Sequence, residues 1–575
     1  MKRRNFIGNI SAGGGAFIVY PLTADLIPAN TTEPCIDLIS SPNLLKADLI
    51  VAGGGLGGCA AAHAALRNGL TVIMTEETDW IGGQLTQQGV PPDEHKWIEK
   101  YGATSLYREF RTAVRNYYRD NYPLSGKAAA APLLNPGNAM VSALSHEPKV
   151  ALMVLEQMFA PYISARKLMI LREYRAVKAT TNGNVVRSLL VASSRNGSEK
   201  RLEGGYFVDA TELGDLLPMT GTAYVTGAES NRETGELHAA KETNANNNQA
   251  FTVCFAMDYL KGEDWVIQKP EEYEFWRDFV PNMSPPWSGR LLDLSYSNPK
   301  TLHKKTLGFH PEGIPMGDTL NLWNYRRIID KENFVPGFYQ GDISIVNWPQ
   351  NDYFLGNIVD VDRQDFDHHF DRGKQLSLSL FYWLQTEVPR PDGGRGWPGL
   401  RLRNDIMGTE DGLAKYPYIR ESRRIKALFT VLEEHVGAEQ RKGITGANDK
   451  ELKAKIFEDS VGIGYYHIDL HPSTAGDNYI DFNSLRFQIP LGALIPQQME
   501  NLLPANKNIG TTHITNGCYR LHPVEWGIGE AVGMLVPFLM DKNLTPQEMY
   551  KNPEVIREFQ EFVRTQGIDT EWPED

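Results

Sequence analysis

Between residues 47 and 221 the apolar positions come in short runs separated by longer stretches, the rhythm of buried parallel strands joined by helices. Leu49-Ile50-Val51-Ala52 and Thr71-Val72-Ile73-Met74-Thr75 read as two such strands. Between them Cys59-Ala-Ala-Ala-His-Ala-Ala-Leu66 carries almost only small side chains, which predicts a helix lying close on the sheet and ended by Gly69. Arg108 to Tyr122 separates aromatic from charged positions, and with His146 to Ala160 it predicts two further helices. Lys167 to Leu171, Tyr174 to Thr180 and Val185 to Ser193 predict strands, the last two split by the turn Thr181-Asn-Gly-Asn184. Gly205 to Ala210 predicts a short strand, Leu502 to Ala505 the end of a buried one, and the small residues Gly527 to Ala531 the opening of a helix.

From 222 to 412 this α/β rhythm is lost, and the stretch becomes rich in Trp, Tyr, Asn and Pro. It holds seven of the eleven tryptophans: Trp265, Trp276, Trp287, Trp323, Trp348, Trp383 and Trp397. An inserted α+β cap that shapes a substrate pocket is the expectation, with flat rings suited to stacking on a sugar or another ring. Core filling is the competing role for any one of them. Asp365-Phe-Asp367-His368-His369-Phe-Asp371 is read as a strand, on which adjacent histidines point to opposite faces, so no metal site is expected. The segments are therefore 25–46 as linker, 47–221 and 413–545 as two parts of one nucleotide-binding domain, 222–412 as cap, and 546–575 as a helical tail.

A chain of 575 residues is too long for one core, and two to three lobes are expected. Its apolar content of 41% and charged content of 22% are those of a globular protein. The net charge of −13 and the lack of a long basic run disfavour nucleic acid as a partner. Four cysteines, Cys35, Cys59, Cys254 and Cys518, form no C-x-x-C, which disfavours thiol–disulfide chemistry and zinc. The start, Met1-Lys2-Arg3-Arg4-Asn5-Phe6-Ile7, resembles a twin-arginine export signal, with Leu22-Thr23-Ala24 as cleavage site and a periplasmic or otherwise exported destination. Removing 1–24 takes three cations and no acid, leaving −16. The apolar stretch from Ile10 to Leu22 is too short for a stable membrane span.

The first strand runs into Gly53-Gly54-Gly55-Leu56-Gly57-Gly58, in which Gly53, Gly55 and Gly58 keep the G-x-G-x-x-G spacing. That spacing permits a tight turn, close approach to a pyrophosphate and close helix–strand packing. Glu76, at the end of the second strand and followed by Glu77, can accept from ribose hydroxyls, which favours FAD or NAD over NADP. Gly82-Gly83-Gln84-Leu85 then resembles the loop that runs along the cofactor in the glutathione-reductase-like FAD flavoproteins. Asp209-Ala210-Thr211-Glu212-Leu213-Gly214-Asp215 resembles their second signature, usually D-A-T-G-x-G-D, with Glu212 in place of the glycine. The resemblance implies FAD, held by these segments including Ala210, Thr211 and Asp215, in a Rossmann-like domain made of two separated parts.

Three further blocks resemble the bacterial FAD-dependent oxidoreductases: Arg420-Glu421-Ser422-Arg423-Arg424-Ile425, Asp459 to Pro472 with His467-Ile-Asp469-Leu-His471, and Asn501 to Gly533. Gly527, Gly529, Glu530 and Ala531 are expected to bring a helix N-terminus close to the flavin, where N–H groups offset charge developing on reduction. His513 and His522 are the candidate proton carriers, with Arg420 and Arg520 on a polar or anionic substrate group; ion pairs with Glu421 or Glu525 are the structural alternative for the arginines. Only one dinucleotide fingerprint occurs, so electrons are expected to come from a small polar substrate, carbohydrate-derived ones included. They would leave to a quinone, a small redox carrier or oxygen. A flavin-dependent lyase, isomerase or hydrolase on glycans, and a non-catalytic flavin- or glycan-binding protein, are the rival readings.

Overall fold

The structure is a computed structural model that describes Ile36 and residues 43–574. The export signal and most of the expected linker lie outside the described residues. Strand β1 (Leu44–Ala52) leads through the glycine turn into helix α1 (Leu56–Arg67) and strand β2 (Val72–Glu76). Helices α2 (Ser105–Asn121) and α3 (Pro148–Ser164) precede β3 (Leu168–Arg172), β4 (Tyr174–Asn182), β5 (Val185–Ser193) and β6 (Glu199–Asp209). Strand β1 pairs in parallel with β2 on one side and β6 on the other, and β3 runs parallel outside β2. The two faces of β1 serve two cores: Leu49 and Val51 pack with α1, while Ile50 and Ala52 pack with the residues of the β4–β5 meander. That period of two on an all-apolar run is the mark of a strand buried on both sides.

Two expected boundaries shift here. Strand β6 begins at Glu199 rather than Gly205, because its polar first half pairs antiparallel with β5, an edge that hydrophobicity does not announce. Helix α3 begins at Pro148 rather than His146, with the proline in the first turn, where no N–H is needed.

The intervening segment builds a second core around an antiparallel sheet of β7 (Phe255–Tyr259), β8 (Arg327–Ile329), β9 (Ile343–Val346) and a later strand, β10 (Leu400–Leu402), in the order β8-β9-β7-β10. Helix α4 (Arg363–Thr386) lies between β9 and β10 in the chain. His368 and His369 sit on this helix and not on a strand. Asp362 caps it by accepting from the Asp365 N–H, and Leu376, Leu380 and Leu384 keep a period of four into the core. Six of the seven tryptophans of this segment are core residues, and Trp265 is the exposed one. Packing, rather than a ring-stacking surface, accounts for most of them.

The chain then forms the hairpin β11 (Ile468–Leu470) and β12 (Ile480–Phe482) and returns to the large sheet through β13 (Leu502–Pro504), parallel to β6. Ala52, Thr75, Asp209 and Pro504 thus stand level at the carboxyl ends of the parallel strands. Helices α5 (His513–Tyr519), α6 (His522–Lys542) and α7 (Pro553–Thr565) complete the fold. Helix α6 opens at His522, with Pro523 in its first turn, so Gly527 to Ala531 fall inside it rather than at its start. Its glycines meet α1. A Cβ on Gly529 would sit 2.1 Å from the Gly57 carbonyl oxygen, and one on Gly533 2.2 Å from that of Ala61. The four-residue spacing of small side chains lets the two helix backbones touch. Gly529, expected near the cofactor, thus also serves the contact between α6 and α1.

Candidate active site

The turn after β1 is shaped by contacts that exclude side chains. Gly53 has φ +97°, and a Cβ there would lie 2.2 Å from the Ala210 carbonyl oxygen. Gly58 packs its Cα face against the Gly53 carbonyl, and Leu56 and Gly57 are buried in the first turn of α1. Gly55 is the N-cap of α1 and brings no side-chain cap, nor does the first turn carry an acid. Its first N–H groups and the positive end of its dipole are therefore available to an anion. The Gly54 N–H donates to Glu76 Oε2 at 3.1 Å, and the Thr78 N–H donates to Glu76 Oε1 at 2.8 Å. Burial pushes the Glu76 carboxyl up to about 8, against hydrogen bonding from Thr78.

The Gly-Gly loop folds back onto this turn: the Gly82 N–H donates to the Gly54 carbonyl at 2.7 Å, and the Gly83 N–H to Gln87 Oε1 at 2.9 Å. Gln84 Nε2 donates to the Arg520 carbonyl and to Glu525 Oε2, both at 2.9 Å, and Leu85 is buried beside it. A cleft of about 40 Å³ opens between these elements. Gly53, Gly55, Glu76, Glu77, Ala210, Thr211 and Asp215 line it, whereas Gly54, Leu56, Gly57, Gly58, Gly82, Gly83, Gln84 and Leu85 do not. Gly527, Gly529, Glu530 and Ala531 do not line it. Glu530 instead accepts from Trp526 Nε1 at 3.1 Å within the helix core.

Glu212 keeps an ordinary backbone where the resembled signature has glycine, and the positive φ falls two residues later at Gly214. Its Oε1 lies 2.9 Å from where a Cβ of Gly55 would stand, so a carboxylate sits beside the uncapped end of α1. Lys507 forms an ion pair with Glu212 and lies 3.8 Å from Glu525. Glu212 Oε1, Gln84 Oε1 and Glu525 Oε1 are buried with no hydrogen-bond partner in the protein. A glycine turn closed to side chains, a helix end with no side-chain cap and an acid at the end of β2 fit FAD.

A second cavity, of about 260 Å³, lies between the sheet domain and the intervening segment. Arg420 and Arg520 both line it, but each is already paired. Arg420 Nη2 is 3.0 Å from Asp352 Oδ1, and its Nη1 donates to the Ala250 carbonyl at 2.9 Å. Arg520 donates to Tyr418 Oη at 2.7 Å and to Asp469 Oδ2 at 3.1 Å. The partners are thus Asp352 and Asp469 rather than Glu421 or Glu525. Arg326, a third guanidinium at the cavity, lies 3.2 Å from Asp93.

The two histidines expected to carry protons are not on this wall. His513 Nδ1 is 2.8 Å from Glu421 Oε1. Burial opposes its charge, but the Glu421 carboxylate outweighs that and holds the imidazolium above its ordinary range. His522 Nδ1 accepts from the Asp93 N–H at 3.1 Å, and burial pushes its imidazole down to about 4, so it stays neutral. His467 and His471 are the histidines that line the cavity. Both belong to His467-Ile468-Asp469-Leu470-His471, where polar and apolar residues alternate. Ile468 and Leu470 are buried on one face of the hairpin, and Asp481 stands directly across from Asp469 on the other.

This alternation was visible in the sequence and unused. Asp93, Arg326, Asn347 and Asp352 reach the site from distant segments and left no local signal. Ligating atoms of His467, Asp469 and Asp481 lie within 4.8 Å of one another. With Arg520 on Asp469, the trio reads as an ion-paired cluster, since a guanidinium there opposes a second cation.

A parallel sheet with an FAD-shaped turn at its carboxyl edge, beside a polar cavity capped by a second core, defines a flavin-dependent redox enzyme. The sequence profile of the FAD dependent oxidoreductase family matches residues 48–563, and the chain belongs to that family. It is an FAD-dependent oxidoreductase and binds FAD. No curated protein matches the sequence significantly. Among solved structures it is similar to a geranylgeranyl bacteriochlorophyll reductase-like protein from Thermoplasma acidophilum (9% identity, 92% of this chain and 85% of that one, TM-score 0.32). It is also similar to the OxyS anhydrotetracycline hydroxylase of Streptomyces rimosus (9%, 90% and 66%, TM-score 0.33). A third likeness is to E. coli quinol fumarate reductase (10%, 91% and 74%, TM-score 0.30).

Proposed function

We propose that this protein is an exported flavoenzyme of the glutathione-reductase type that oxidises an alcohol group of a neutral, polyhydroxylated small molecule bound in the 260 Å³ cavity. The observation that carries the substrate reading is the state of the polar groups around that cavity. Every guanidinium on its wall is already balanced by a carboxylate: Arg326 by Asp93, Arg420 by Asp352 and Arg520 by Asp469. Eight buried atoms of its lining residues have no hydrogen-bond partner in the protein: Arg326 Nε, Arg420 Nε, Arg520 Nε, Asn347 Nδ2, Trp348 Nε1, Tyr479 Oη, Asp93 Oδ1 and Asp481 Oδ1.

These are five donors, two acceptors and a hydroxyl that is both. A free carboxylate ligand needs donors alone and would face Asp93 and Asp481, whereas hydroxyl groups donate and accept and can meet both kinds of atom. Each buried polar atom left unmade costs about 1–3 kcal/mol, so a sugar-like ligand gains by pairing them. Bound FAD supplies the two-electron acceptor. The residues of this chain orient the alcohol, keep bulk water out and take up its proton.

The parallel strands β3-β2-β1-β6-β13, with the β4–β5 meander attached to β6 and an acid ending β2, support the glutathione-reductase type. Arg3-Arg4 followed by Phe6-Ile7 supports twin-arginine export, which suits a protein that must fold around FAD before it leaves the cytoplasm. A single dinucleotide turn supports delivery of electrons to a quinone, a small redox carrier or oxygen. Anaerobic bleaching of the yellow holoenzyme against a panel of neutral sugars, polyols and hydroxy acids tests the reading. Bleaching by neutral polyols is expected. Bleaching by hydroxy acids alone would overturn the substrate class, and a flavin left oxidised by every compound would overturn the dehydrogenase.

A further inference from the structure

We propose that the buried pair Glu212–Lys507 sets how tightly this protein holds FAD: Glu212 is a fixed negative charge beside the end of α1 that receives the pyrophosphate, and Lys507 is the positioning residue that holds and neutralises it. Where the resembled signature has a glycine with no side chain, this chain thus carries a charge and its counter-charge.

The cleft is acidic for a site that must take an anion. Glu76, Glu77, Glu212 and Asp215 line it, and Arg175 is the cation among its lining residues. Three of these acids are balanced away from the helix end. Glu77 lies 2.6 Å from Arg363, and Asp215 lies 3.1 Å from Arg423. Glu76 is pushed up to about 8 by burial and so keeps its proton at neutral pH. Glu212 is the acid beside the helix itself. Its Oε1 stands 2.9 Å from the Cβ position of Gly55, the N-cap of α1, and 3.2 Å from that of Gly83. That oxygen is buried and has no hydrogen-bond partner in the protein. An ionised carboxylate there competes with any anion the helix end would take.

Lys507 answers the charge from behind. Its side chain is completely buried, does not line the cleft, and forms an ion pair with Glu212 Oε2. It follows β13 by three residues, and its neighbours hold the turn that carries Glu212. Asn506 Nδ2 donates to the Ala210 and Thr211 carbonyls at 3.4 Å, and Asn508 Nδ2 to the Asp209 carbonyl at 3.0 Å. The segment after β13 therefore fixes both the place and the net charge of the segment after β6. Glu525 is the second carboxyl at Lys507, 3.8 Å away, and it also accepts from Gln84 Nε2 at 2.9 Å. Burial raises the Glu525 carboxyl against the pull of Lys507. Lys507 thus keeps a partner when Glu212 loses its charge.

The two members of the pair should act on FAD with opposite signs. A pair that only held the fold would loosen the site whichever member was removed. A pair that tunes the helix end tightens FAD when the acid goes and loosens it when the cation goes.

Titrating the FAD-stripped full-length chain with FAD, followed by flavin fluorescence, reads this as Kd. E212Q is expected to bind FAD about tenfold more tightly than the wild type, which is what one charge near a helix end is worth. K507M is expected to bind about 10–100-fold more weakly, and K507R to stay close to the wild type. K507M/E212Q should return to within about fivefold of the wild type, because the two effects are coupled through one contact. ADP, which carries the phosphates without the flavin, competes with FAD and should follow the same order. E212Q that binds FAD no more tightly than the wild type would overturn the proposal, whether or not K507M folds. So would K507M/E212Q as weak as K507M, or an ADP affinity that no variant moves.

Discussion

Gly529→Ala is the substitution that best separates packing from cofactor contact in helix α6. The three glycines there differ in what a methyl group would meet. At Gly527 the nearest atom to a Cβ is 3.7 Å away, an ordinary contact, whereas at Gly529 it is the Gly57 carbonyl oxygen at 2.1 Å. That oxygen is backbone in α1 and cannot rotate away, so the two helices must separate by more than an ångström. Overpacking of this kind costs about 1–3 kcal/mol, and at a backbone–backbone contact the upper end applies. Alanine in a helix interior recovers about 1 kcal/mol of propensity at either position. G529A is therefore expected to be less stable than G527A by roughly 2–3 kcal/mol. At about 2.1 cal/mol/K per residue of unfolding entropy, that difference lowers the melting midpoint by about 2–3 °C in a chain of this size.

Differential scanning calorimetry of the two variants, side by side with wild type, reads that gap. FAD retention on gel filtration gives a second readout, because moving α1 at Gly57 disturbs the turn that precedes it. G529A that melts with G527A and keeps its flavin would refute the close-contact account of this helix pair.

Burial raises the Glu76 carboxyl from 4.5 to about 8 in the folded protein. The folded state then binds the proton more tightly than the unfolded one, so this group's contribution to stability falls as pH rises from about 4.5 to about 8. The wild-type minus E76Q difference in urea midpoint of the FAD-stripped protein should follow that slope; a flat difference would contradict it. K507M leaves Glu212 and Glu525 buried without their cation and should cost about 3–5 kcal/mol in denaturant titration, most of it recovered in K507M/E212Q. Equal stability of the single and double variants would show that the ion pair is not what holds Lys507 there. Stripping FAD should lower the melting midpoint, and restoring it at a hundred times its Kd should return about 2.7 kcal/mol, read by thermal denaturation against FAD concentration. Replacing Arg3 and Arg4 by lysine together should stop export in cell fractionation, with the FAD content of the retained protein unaltered; unchanged export would remove the twin-arginine reading.

Local spacing carried the nucleotide half of this protein. An apolar run that ends in a three-glycine turn, a helix of small residues and an acid closing the next strand are all written within about thirty consecutive residues, because the contacts they serve are between neighbours in the chain. The sequence alone therefore determined FAD and the parallel strands, and even the Val185–Ser193 strand to the residue. It misjudged features that depend on distant partners. The polar first half of β6 is a strand only because β5 lies beside it. The close contact of the α6 glycines with α1 shows only when the two helices are laid together.

The chemistry of the cavity belongs to the tertiary structure almost entirely. Asp352 and His471 are 119 positions apart and meet at 2.6 Å, and Arg420 reaches Asp352 from a third segment. His513 and His522 sit in the more familiar motif, yet one is consumed by Glu421 and the other faces backbone. Which partner each histidine meets depends on segments far apart in the chain, and residue type and spacing hold no record of them.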